Sequence, residues 1–138
     1  MKNVMWSLAK PVLGVLVGVW FAVPAFAVGE LHSSIDVKTV REKDGKLTFT
    51  FKVVPGEKMV INHDGPWKLD IKKSEGITFT TTTFPKTEMK EAIPGFTMTS
   101  AAPPAAKSGT VEYQMVAFVC TKEKTLCYRD VHKTTASW

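Results

Sequence analysis

Two cysteines and three histidines in 138 residues leave little material for metal or thiol chemistry. There is no C-x-x-C, which excludes a thioredoxin-type dithiol and covalent haem attachment. H-E-x-x-H, G-x-S-x-G and a glycine-rich phosphate loop are absent too, so zinc protease, serine hydrolase and nucleotide-binding readings have no support. Charge of one sign is also scarce: 18 basic residues stand against 13 acidic ones. That balance is too mild, and too evenly scattered, to point to nucleic acid. Helix signals are thin. Residues 87–93 have room for one or two turns before Pro94-Gly95 stops them, and AAPPAAKS at residues 101–108 reads as a surface connection.

What is present begins with an export pattern. Lys2 and Lys10 make a positive start, residues 11–23 (PVLGVLVGVWFAV) are apolar, Pro24 breaks the run, and Ala25-Phe26-Ala27 fits a small-x-small cleavage site. This predicts a signal peptide over 1–27, cut after Ala27, and a periplasmic product without a lasting membrane anchor. An uncleaved span is the rival reading, because the uncharged stretch 11–29 is near the lower length for crossing a bilayer. Without Lys2 and Lys10 the domain 28–138 keeps 16 basic and 13 acidic residues. Its length suits one domain with a modest core.

The domain alternates with the period of a strand. Residues 46–53 (KLTFTFKV) put Leu47, Phe49, Phe51 and Val53 on one face, and residues 35–40 alternate likewise. Asp44-Gly45 between them is a tight-turn signal. Further strands are expected at 59–61, 67–71, 77–83, 96–99, 111–120 and 127–134. Trp67, after a Gly-Pro turn on an alternating strand, is expected in the core. Seven or eight short strands with frequent turns predict an all-β, antiparallel, immunoglobulin-like β-sandwich.

Cys120 and Cys127 bracket a short segment, VAFVC-TKEKTL-CYRD, near the end of the chain. An oxidising compartment favours their union. If the last two strands pair so that these residues are opposed, both side chains share one face, with Cα atoms about 4.5–5.5 Å apart, within disulfide range. Closing so short a loop stabilises by only about 2.5 kcal/mol. Two readings therefore stay open, a structural staple and a working redox couple. Lys122, Lys124 and Arg129 would favour a nearby thiolate, while Glu123 partly cancels them.

From about residue 56 to 132 the chain resembles the N-terminal periplasmic domain of the thiol:disulfide interchange protein DsbD. The resemblance rests on Asn62-His63-Asp64-Gly65-Pro66-Trp67-Lys68-Leu69, Gly76-Ile77, Lys86-x-Glu88, Gly109-x-Val111, and Phe118-Val119-Cys120 followed by Cys127-Tyr128. It implies an immunoglobulin-like sandwich whose cysteine pair passes electrons from a membrane thiol reductant to thioredoxin-like periplasmic proteins, with no cofactor. By position it implies that Cys127 exchanges with partners and Cys120 resolves. It also implies a cap over the disulfide, for which residues 81–86 are the corresponding segment and Phe84 the candidate. The chain departs from the family in three ways. Its cysteine loop is one residue longer than in the best-known members, acids beside Phe84 are missing, and neither a membrane carrier nor a thioredoxin-like domain follows. Reductant and acceptor would then be separate chains.

Two other readings use the same residues differently. Met59, His63, Met89, Met98, Met115 and His132 are soft ligand types from which a copper site is conceivable, whereas Met98 and Met115 as core fillers and His63 in a turn is the plainer account. A non-catalytic exported sandwich that binds a protein partner, with a purely structural disulfide, is the alternative to redox work.

Overall fold

The computed structural model describes residues 29–138. The expected signal peptide over 1–27 lies outside the described residues. Eight strands follow in order: β1 (Ser33–Arg41), β2 (Leu47–Pro55), β3 (Met59–Ile61), β4 (Lys68–Glu75), β5 (Thr83–Pro85), β6 (Gly95–Thr99), β7 (Thr110–Thr121) and β8 (Cys127–Ser137). Every pairing is antiparallel. The molecule is an all-β sandwich. One sheet has the order β1-β2-β6. The other is built on β7, which carries β8 along one edge and β4 and β3 along the other, with β5 outside β4. Among the described residues no helix is long and apolar enough to cross a membrane.

The alternation seen in the sequence accounts for the layers. Phe49, Phe51 and Val53 on β2 and Phe96 on β6 are fully buried and face Trp67, Leu69, Val111, Tyr113 and Met115 from the second sheet. Phe51 meets Tyr113 edge-on across the interface, with ring centroids 4.8 Å apart. Such pairs add to plain area burial. The Tyr113 hydroxyl is pushed up to about 12 by its desolvation. Trp67 is in the core as expected, and its indole Nε1–H donates to the Asn62 carbonyl at 2.7 Å. Between β1 and β2, Gly45 takes φ 86°, which residues with a Cβ rarely adopt, and this closes the Asp44-Gly45 turn.

Two expectations are corrected. Residues 77–82 form no strand; only Thr83–Pro85 pairs, with β4. Ile77 is buried, and Phe79 sits edge-on to Phe49 of the opposite sheet at 5.7 Å. Side chains drawn into the gap between the sheets pull this backbone off the ladder. The possible helix at 87–93 reduces to a single 3-10 turn at Lys86–Glu88 followed by an irregular turn.

Candidate functional site

Strands β7 and β8 run in unbroken register from Thr110↔Ser137 to Cys120↔Cys127. That register places the two cysteines opposite each other at the end of the hairpin, and they are joined by a disulfide. The Thr121 N–H donates to the Leu126 carbonyl at 2.8 Å, so 121 and 126 form a hydrogen-bonded pair. By alternation the neighbouring Cys120–Cys127 pair is a non-hydrogen-bonded one, where strands lie closest. The Cα atoms are 4.0 Å apart, closer than the sequence-based expectation, as suits that narrow position. Lys124, at φ 56°, closes the hairpin tip through its N–H to the Thr121 carbonyl.

The two sulfur-bearing residues are unequal. Cys120 is 4% exposed, whereas Cys127 is open to solvent at the start of an edge strand. On β7 the odd-numbered residues Val111, Tyr113, Met115 and Ala117 face the core, so Cys120 points to the opposite side of the sheet. Val60, paired with Cys120 across β3, shares that outer side.

A cavity of about 450 Å³ opens on the disulfide, bounded by Val60, Ile61, Asn62, His63, Asp64 and Lys124. The turn after β3 forms one of its walls, and it is tied down on several sides. Asn62 donates its N–H to the Phe118 carbonyl and accepts the Asp64 N–H on its side chain. Its carbonyl takes the Trp67 indole N–H, and the Lys86 ammonium donates to the Asp64 carbonyl at 3.0 Å. Gly65 lies directly on Phe118, where an added Cβ would come within 2.2 Å of the ring.

Phe84 does not cap the disulfide. It is 7% exposed, belongs to the hydrophobic core, and pairs with Leu69 of β4 beside Met115. Met115 and Cys120 stand an odd number of positions apart on a regular strand, so Phe84 and the disulfide lie on opposite faces. The residues that share a cavity with the disulfide are Asn62, His63 and Asp64 of the turn after β3, while Cys127 stays open to solvent.

The six candidate copper ligands are not brought together. Met98 and Met115 are core residues, and Met89 packs against the core. Met59 borders a different surface depression from His63. His132 is buried and bonded to Ser33. Among the described residues no cluster of three His, Cys, Asp or Glu side chains is placed to hold a metal.

A second polar group, missed in the sequence, joins the start of β1 to β8. The Ser33 hydroxyl donates to Asp130 Oδ2 and lies 3.0 Å from His132 Nε2, and the His32 N–H donates to the same carboxylate at 2.9 Å. The His32 ring stacks on Tyr128 at 3.6 Å. Burial lowers the His132 pKa, and the Asp130 charge offsets this only in part. The residue types are those of a serine hydrolase, but the order is wrong. Ser33 stands between the acid and the imidazole and gives its proton to the carboxylate, so the histidine has no proton to remove. The only signal in the sequence was Asp130 and His132 two apart on one strand, a pattern that ordinarily marks a solvent face.

No family model, curated protein or solved structure matches the chain.

Proposed function

We propose that this is an exported thiol–disulfide exchange domain, of the kind the DsbD N-terminal domain represents, in which Cys127 meets the partner and Cys120 resolves. The observation that carries the reading is the asymmetry of the pair. One sulfur-bearing residue is exposed on an edge strand at a hairpin tip; its partner is buried beside a small cavity. Exchange proceeds by attack of a thiolate on one sulfur of a disulfide, so an exchange domain needs one sulfur within reach and a second shielded until the mixed disulfide must be resolved. The placement of the bond agrees with this use, since it spans a hairpin the backbone already closes. The immunoglobulin-like connectivity, the periplasmic address and the partners, a membrane thiol reductant and thioredoxin-like acceptors, belong to the same proposal.

The test is made in cells that export the protein. Intact mass should show a product beginning at Val28. Cys120→Ala should accumulate mixed disulfides with thioredoxin-like proteins through Cys127, and Cys127→Ala few. The wild-type bond should equilibrate with thiol buffers between about −120 and −270 mV. A bond that resists reduction below about −300 mV, with equal and slow reaction of both single variants, would favour the non-catalytic binding sandwich instead.

A further inference from the structure

His63 is the side chain in this region that no described interaction explains. It stands in the turn after β3 and borders the same cavity as Cys120 and Cys127. Its Nδ1 is buried and has no hydrogen-bond partner among the described residues. A buried polar nitrogen without a partner is costly, and a native structure that keeps one has a use for it or a group that visits it. The turn is held by the Asn62, Asp64, Trp67 and Lys86 hydrogen bonds described above, so His63 is presented rather than loosely displayed.

Reduction of the disulfide would place a titratable Cys120 sulfur in the same cavity that His63 borders. Resting on the exchange reading above, we propose that His63 is the proton donor and acceptor for the buried sulfur of Cys120. In the reducing direction a partner thiolate attacks Cys127 Sγ. A bond forms between the partner sulfur and Cys127, the Cys120–Cys127 bond breaks, and its electron pair leaves on Cys120 Sγ. The His63 imidazolium passes its proton to that sulfur. The partner's second thiolate then attacks the mixed disulfide, releasing Cys127 and leaving the partner oxidised by two electrons. In the reverse direction neutral His63 takes the proton back as Cys120 becomes the nucleophile. The buried sulfur needs this help more than the exposed one, because a thiolate at Cys120 forms where water has little access. Charged groups facing the imidazole are Asp64 and Lys124 in the cavity wall, with Lys86 held against the Asp64 carbonyl.

The experiment follows reduction of the purified protein by dithiothreitol and by thioredoxin from pH 5 to 9. Each rate is divided by the concentration of attacking thiolate. The normalised rate of the wild type should fall as pH rises through the His63 ionisation. H63Q should lose that dependence and react roughly a hundredfold more slowly at the acid end, the lower end of general-acid effects. Added imidazole should restore part of the rate to H63G, and urea midpoints of both variants identify any general loss of folding. A variant that folds and keeps the wild-type pH profile overturns the inference and leaves the exchange reading standing. A wild-type bond that neither dithiol reduces overturns both.

Discussion

His132 and Asp130 face the core of a small sandwich, where their period along β8 alone would have placed apolar side chains. They are tolerated because Ser33 and the His32 backbone, from the far end of the chain, supply their hydrogen bonds. The arrangement ties stability to pH. Burial holds the folded His132 below its ordinary value of 6.5, so the unfolded chain takes up a proton at a higher pH than the fold does. The contribution of neutral His132 is fully present above about pH 6.5 and is lost as pH falls through the depressed folded value. Asp70 acts in a separate, lower range. Burial raises its carboxyl, but the Lys68 and Thr83 hydrogen bonds and the Lys68 and Lys72 charges together bring it below 3.8. Urea unfolding should therefore show a midpoint that declines between pH 7 and pH 5. H132Q, less stable at pH 7, should decline much less over that interval. An unchanged pH slope in that variant would assign the dependence to another group.

Among the elements, the turn after β3 borders the cavity at the disulfide, whereas β5 turns Phe84 into the core. The resemblance implied a cap at Phe84 because residues 81–86 correspond in position to the family's capping segment, and only the pairing of Phe84 with Leu69 reveals that it faces the core. Pairing partners that distant cannot be read from local alternation, which gives a strand its two faces without saying which one is buried. The same limit explains residues 77–82, whose β-forming composition is real but whose Ile77 and Phe79 fill the gap between sheets. The turn itself makes a direct prediction. Gly65→Ala places a methyl group against Phe118, so the turn must lift. Reduction of the bond by dithiothreitol should then accelerate at native pH, with a loss of stability. Phe84→Ala should cost stability by opening a core cavity, about 3–5 kcal/mol, without selectively exposing the disulfide. Equal reduction rates in Gly65→Ala and wild type would show that the turn does not shield the bond.

For the whole molecule, most strands were legible because apolar and polar residues alternate cleanly, as in Leu47, Phe49, Phe51 and Val53. The opposition of Cys120 and Cys127 was legible because a hairpin is local. The partition of strands between sheets was not, since β2 pairs with β6 across more than forty residues and β7 gathers β3, β4 and β8. These long-range pairings and the aromatic layer between the sheets hold the fold. The disulfide adds a closure at a hairpin tip that the Thr121–Leu126 hydrogen bond already makes. On the proposed exchange reading the domain must remain folded in both oxidation states, and the bond is then expected to be no principal support. Replacing both cysteines by alanine should leave the sandwich intact and lower its unfolding free energy by no more than about 2.5 kcal/mol, the loop-entropy value for so short a closure. Urea denaturation reads this directly, with an unchanged slope against denaturant showing that the same surface is buried. Dithiothreitol-treated wild type should unfold at nearly the same midpoint as the double variant. A much larger loss in both would make the bond a support of the fold and remove the redundancy that exchange requires.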